Sequence, residues 1–373
     1  IISLSVLMVI VVLVILIALY ITDTNFRNLI DTNIFRKNIS ENNTSIIEIQ
    51  TKNNQHFYAY DKYICVYRKK VLEFYNRAGE KSGSIELSIN NPMFTTAGRY
   101  LAICEENGQK FYLITGKEKV FENEIEGNIK QINVSKNGYV SVVISNTSYK
   151  SIVDVFDGSG KEIFKTNLMS RVVDISISQD NKYLAIAEVD LSGIIIKSRI
   201  QIISIELAKT DSEKAIQYKY EATNNKLIMN IEYQEQNNLI CMYNDSVDIL
   251  QEQNNKEIES FKNKKISFMT VQLNNRITLL EEKSTGEYTA DTKVRIIDPV
   301  TLKEKEYTIN GVAKAITTSE NRIAINLGSE LHIISKNGIL LQKYISKTEI
   351  NDVVMTDGVV GVVYRDKIQI IDL

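Results

Sequence analysis

From about residue 54 onward, apolar residues either alternate with polar ones or run unbroken for five or six positions, and Asn, Asp, Gly and Ser interrupt the runs. That period of two, with frequent turn residues, predicts strands, and no sustained 3.6-residue period competes with it. One signature recurs: an aromatic or basic residue, an apolar one, a small one, then another apolar one. It reads Tyr63-Ile-Cys-Val, Tyr100-Leu-Ala-Ile, Tyr139-Val-Ser-Val, Tyr183-Leu-Ala-Ile, Arg276-Ile-Thr-Leu and Arg322-Ile-Ala-Ile, with looser copies at Asn238-Leu-Ile-Cys-Met and Val359-Val-Gly-Val. The small positions are Cys65, Ala102, Ser141, Ala185, Cys241, Thr278, Ala324 and Gly361, spaced 37, 39, 44, 56, 37, 46 and 37 residues apart. A repeat of roughly 40 residues that holds four strands is a β-propeller blade.

The segments around each signature agree. In the third unit IKQINVS, YVSVVIS, SIVDVFD and KEIFKTN follow one another across short turns, and the seventh repeats the order with AKAITTS, RIAINLG, LHIISKN and ILLQKYI. The innermost strand of each unit is expected to carry small residues where blades converge on the axis, and the second to need one where sheets press face to face. The last unit supplies three strands, DVVMTD, GVVGVVYR and KIQIIDL, while a spare strand, SIIEIQ at residues 45–50, precedes the first complete unit. Pairing of that strand with the last blade would close the ring and leave neither edge open. The expectation is an all-β, eight-bladed propeller over residues 44–373, with seven blades as the alternative if the first unit is irregular.

This organisation resembles the WD40-like and quinoprotein-like propeller superfamily. The stretch SQDNKYLAIA (178–187) is similar to the D-G-x-x-L-A strand of the TolB-type and lactonase-type repeats, although the Gly-His and Trp-Asp pairs of true WD40 repeats are missing. In organisation the chain resembles uncharacterised single-pass, membrane-anchored propeller proteins of Gram-positive anaerobes. These resemblances imply the fold and not an activity.

Ahead of the repeats the pattern changes. Residues 1–22 carry no charge and are apolar nearly throughout, the length and character of a membrane-spanning helix. The stretch after Ala18 offers no small-residue cleavage site, and Tyr20 falls where an interfacial aromatic would lie, so a retained anchor is expected. Residues 23–43 read as a stalk, with Phe26, Leu29, Ile30, Ile34 and Phe35 on one helical face. The flanking charges do not decide orientation; a short leading flank that stays cytoplasmic would put the propeller outside, at the plasma membrane.

Composition narrows the chemistry. Basic and acidic residues nearly balance at 44 and 46, with no long basic run, which argues against a nucleic-acid partner. The three cysteines are far apart and give no CxxC or zinc pattern, and the two histidines, His56 and His332, fall in strands of different blades. With no tryptophan there is no quinone-docking motif, and no phosphate-cradling Gly loop is present. No catalytic residue, cofactor or metal is therefore expected.

In a propeller, the loops joining second to third strands and those entering the inner strands share one face. Two such loops look long, Glu188–Arg199 and Glu281–Lys293, and a third, residues 104–110, is acidic. Glu105, Glu106, Glu188, Asp190, Glu281, Glu282, Glu287 and Asp291 are thus the candidate binding rim. Gln131, Asp174, Asn230 and Asp352 are candidates for lining the channel. The functional expectation is a tethered scaffold that binds a protein or ligand in the cell envelope. The alternatives are an extracytoplasmic enzyme (a metal-dependent hydrolase or cofactor-dependent oxidoreductase) and a small-molecule sensor.

Overall fold

A computed structural model describes residues 2–22, 26, 30, 45–49, 55–193, 195–211, 214–223, 226–286 and 289–373, with side chains of the first helix from Met8 onward. Helix α1 spans Ile2–Thr22. Among the described residues no helix is long and apolar enough to cross a membrane. Of the expected stalk only Phe26 and Ile30 are described, both helical. Leu29, Ile34 and Phe35 lie outside the described residues.

Strand β1, Ser45–Glu48, and strands β2–β32, His56–Asp372, form eight four-stranded antiparallel sheets. Seven are simple meanders of consecutive strands, from β2–β5 (His56–Glu86) through β26–β29 (Ala315–Ile345), and the eighth joins β30 (Asp352–Met355), β31 (Val359–Val363) and β32 (Lys367–Asp372) in the order β1-β32-β31-β30. The chain is an eight-bladed β-propeller. Ring closure is a backbone ladder in which Ser45 faces Ile370 and Glu48 faces Lys367. Ile47 of β1 is 3% exposed against Ile368 and Ile370, so closure also buries apolar surface.

Among the described residues the buried apolar side chains form eight clusters, one at each junction between neighbouring blades. The small residues of the recurring signature all lie in second strands at these seams and are buried. Gly361 shows why size matters: a Cβ there would meet Val354 Cγ2 at 3.0 Å and Ile64 Cδ1, from the next blade, at 3.1 Å. The wide spacing between Ala185 and Cys241 comes from blade 4. Its β15–β16 hairpin is long, and a one-turn helix, α2 (Ile205–Ala208), interrupts the third-to-fourth connection.

The inner strands depart from expectation. They carry polar and large residues, including Tyr58, Gln131, Asp174, Asn230 and Glu232, because eight blades leave an axis wide enough to be filled by such side chains. Four of them, β10 (Asn128–Val134), β14 (Arg171–Ile177), β18 (Ile228–Tyr233) and β22 (Ile266–Thr270), also share a β-bulge near the start, which shifts register between Ile129 and Gln131, Val172 and Asp174, Ile228 and Asn230, and Ile266 and Phe268.

The structure adds a feature that the repeat pattern did not reveal. In seven blades the third strand places a polar side chain opposite the residue after the small one: Glu73, Tyr112, Asp154, Gln201, Arg295, His332 and Gln369. All are buried, and most find partners on fourth strands of their own or the preceding blade. Arg295 reaches Glu304 of its own blade and Glu259 of blade 5, each at 2.5 Å. His332 Nδ1 lies 2.9 Å from the Tyr307 hydroxyl of blade 6. The Tyr344 hydroxyl of blade 7 donates to Gln369 Oε1 at 2.6 Å. A buried polar group must be paired to be tolerated, so these pairs fix which outer strand lies beside which blade.

Asp154 is the poorly satisfied member of this belt. Its carboxylate is fully buried, Lys165 Nζ lies 3.1 Å from Oδ2, and neither oxygen accepts a hydrogen bond of good geometry. Burial outweighs the lysine and pushes its pKa up from 3.8 to about 6. The folded state therefore holds this proton more tightly than the unfolded chain does. The associated stability is fully present below about pH 3.8 and is lost as pH rises through about 6. Asp154→Asn removes the titration. Denaturant midpoints measured from pH 4 to 7 should show the variant gaining on the native chain by an amount on the order of 3 kcal/mol; a constant difference across that range contradicts the assignment.

Candidate binding face

In an antiparallel meander, the second-to-third connections and the fourth-to-first connections emerge on the same side. For brevity this side is the loop face, and the other is the tether face. Strand β1 runs antiparallel to β32, with Glu48 beside Lys367 at the loop face and Ser45 toward the opposite one. The segment preceding Ser45 thus joins the propeller on the tether face.

The described candidates for the acidic rim belong to the second-to-third hairpins of blades 2, 4 and 6, and all but Glu106 lie within the hairpin strands. Glu287 lies outside the described residues. The hairpins are longer ladders than expected, pairing out to Asp190 with Lys197 and to Ser284 with Ala290. As a result Glu188 and Glu281 are strand residues, and both are buried, which takes them off the rim. Glu188 accepts hydrogen bonds from Ser170 Oγ and, at 2.7 Å, from Gln201 Nε2, while Glu281 pairs with Lys283.

The remaining carboxylates are also engaged by near neighbours. Glu105 accepts from the Asn90 amide at 3.0 Å and its side chain at 2.9 Å, and Glu106 from Asn91 Nδ2 at 2.5 Å. Asp190 pairs with Arg199 at 3.3 Å, and hydrogen bonds from Ser192 hold its pKa below the usual range. Glu282 pairs with Lys265, and Asp291 accepts from the Gly311 amide at 3.3 Å. Among the described residues no group of three His, Cys, Asp or Glu side chains is placed to hold a metal ion. The rim is a set of separate, locally paired charges.

The channel candidates divide. Gln131, Asp174 and Asn230 follow the bulges of three consecutive inner strands and come together. Asp174 accepts from Gln131 Nε2 and, at 2.9 Å, the Ile175 amide on one oxygen, and from Asn230 Nδ2 at 2.5 Å and the Ile231 amide at 2.8 Å on the other. One carboxylate therefore ties blades 3, 4 and 5 at the axis. Burial raises its pKa against the effect of these donors, and Glu232 nearby is pushed up to about 8 by burial and by Asp174. Asp352 stands apart on blade 8, capping its neighbour's amide at 2.8 Å.

The loop face carries another feature that the search for charged chemistry missed. Tyr149, Met169, Leu191, Ile195, Ile196, Leu227 and Met229 are exposed, with Met169 at 70%, and all lie on loop-face connections or strand starts of blades 3–5. Elsewhere on that face, among the described residues, Val312 and Ile345 are the exposed large apolar side chains. The stretch Leu191-Ser-Gly-Ile-Ile-Ile was legible as an apolar loop tip. Soluble surfaces seldom concentrate such residues without a use for them. Beside this patch, at the seam of blades 5 and 6, a cavity of about 660 Å³ opens among Met229, Phe261, Phe268 and Met269.

The fold and this face define a propeller with a localised exposed apolar patch. Residues 35–373 match the model of a family described as "Family of unknown function (DUF5711)", and the chain belongs to that family. No curated protein matches the sequence. Among solved structures, a candidate dipeptidyl aminopeptidase IV from Bacteroides ovatus superposes with a TM-score of 0.51 at 11% identity, over 77% of this chain and 51% of that one. This chain therefore spans about half the length of that protein. BamB from Moraxella catarrhalis gives 0.49 at 11% identity, over 88% of this chain and 97% of that one. AztD from Citrobacter koseri gives 0.49 at 10%, over 80% and 87%. At these identities the likeness is one of fold alone, that of a β-propeller.

Asp174→Ala should strand four donors from three blades and cost about 3–5 kcal/mol, whereas Asp352→Ala should stay within about 1 kcal/mol. Chemical denaturation of the two variants checks this, and equal effects would remove Asp174 from its place as the axial tie.

Proposed function

We propose that this chain is a membrane-anchored, extracytoplasmic propeller that acts as a scaffold and binds a protein partner on its loop face. The observation that carries the reading is the exposed apolar patch on blades 3–5, set on a rigid ring. Interfaces between proteins centre on apolar and aromatic anchors of this kind. Support for the anchor is the uncharged and nearly unbroken apolar run of residues 1–22 in the sequence. Residues 23–43 are then the stalk and 44–373 the working domain. A stalk that joins on the tether face leaves the loop face free to meet a partner in the envelope.

The cysteines offer a clean test of location, because Cys65, Cys104 and Cys241 are all buried. In Ile195→Cys, a membrane-impermeant maleimide should label the new thiol in intact cells; labelling that appears only after lysis contradicts an extracytoplasmic propeller. A photo-crosslinking residue at Tyr149 should give a protein adduct in cells, and one at Leu302, in a third-to-fourth connection on the opposite face, should not. Adducts from both positions or from neither would contradict binding through the loop face.

A further inference from the structure

The charges around the apolar patch point to what docks there. The acidic side chains on this sector of the loop face are largely spent on local pairs, as with Asp190 on Arg199 and Glu188 on Ser170 and Gln201. The basic ones are freer. Among the described residues Lys150, Arg171 and Lys262 are exposed and make no ion pair, and Lys130 donates to the side-chain oxygen of Asn107. Against these stand two exposed carboxylates without an ion pair, Glu126 and Asp245. The unpaired charge over blades 3–5 and the following seam is therefore positive.

Shape separates a peptide from a flat lipid surface. The cavity between blades 5 and 6 is a half-open recess whose lining mixes Met229, Phe261, Phe268 and Met269 with polar side chains, among them Lys262, Lys264 and Asp245. Lys264 is shared with Glu259, and Lys262 has no ion pair among the described residues. Met229 belongs to both the patch and the cavity wall. Leu227 joins them as well, since its amide donates at 2.8 Å to Asn244, another wall residue. A bilayer surface would meet the protruding side chains, whereas the recess beside them also has room for an apolar side chain of a partner segment.

We infer that the loop face takes an acidic, amphipathic segment of a partner protein, with one apolar side chain seated in the cavity of blades 5 and 6 and flanking carboxylates facing Lys262, Arg171 and Lys150. The inference rests on the scaffold reading and names the chemistry of its partner. Opposite charge across the rim would speed association and select against basic segments, while the seated side chain supplies the anchor.

The test uses the full chain, purified in detergent and immobilised, against a displayed library of random dodecapeptides. Enriched peptides should carry net negative charge around a large apolar residue. Their binding should fall about tenfold in Lys262→Glu and weaken as salt is raised. Met229→Asp should abolish it. Both residues are exposed, and a melting curve checks that each variant folds. Neutral or basic winners, or winners that bind the Met229→Asp chain unchanged, overturn the inference. So does a failure to enrich any peptide, and if phosphatidylglycerol vesicles then shield Ile195→Cys from maleimide, the face docks lipid. A Tyr149 crosslink to a protein combined with basic winners sinks the acidic segment alone; absence of the crosslink sinks the scaffold with it.

Discussion

Everything in this molecule depends on a ladder four residues long. Strand β1 supplies the fourth strand of the last blade and pairs with β32, so the ring is shut by hydrogen bonds and by Ile47 rather than by a covalent link. Without it the eighth blade would present the bare edge of Lys367–Asp372, and the eighth seam, which packs Ile47 and Ile368 toward Ile64 and Val66 of blade 1, would lose one wall. Closure also sets direction. Because β1 is antiparallel to β32, Ser45 lies on the side away from the second-to-third loops.

Two kinds of contact then hold the blades in order. Apolar seams, one per junction, supply most of the burial, and each requires a small side chain at one position of a second strand. Polar side chains in the third strands, such as Arg295 between Glu259 and Glu304, add a requirement for correct partners, since a mispaired blade would bury charge without an acceptor. At the axis Asp174 plays the same part for blades 3, 4 and 5. These three blades also carry most of the exposed apolar side chains of the loop face, so the surface proposed to bind stands on the most tightly tied part of the ring.

The fold was legible because the small residue of the signature is a packing constraint repeated eight times, and the pattern of Tyr-Leu-Ala-Ile at 100–103 and 183–186 states it directly. The closing strand was legible because one blade lacked a fourth strand. The site was less so. A carboxylate such as Glu188 looks like a loop residue in sequence, and only the continued register to Asp190 turns it into the seam. Asp174 and Asn230 were singled out as channel residues, but the bulges that bring them together leave no mark that alternation alone can show. The apolar loop tip at 191–196 was visible and was passed over because the search favoured charged chemistry.

Amide hydrogen exchange on the full chain tests the closure most directly. The central strands of a closed ring should be protected alike, so peptides covering Lys367–Asp372 should exchange as slowly as those covering Ser151–Phe156, a third strand whose neighbours are both adjacent in sequence. Fast exchange at Lys367–Asp372 with slow exchange at Ser151–Phe156 would mean an open ring, and the account of how the loop face is aimed would fall with it.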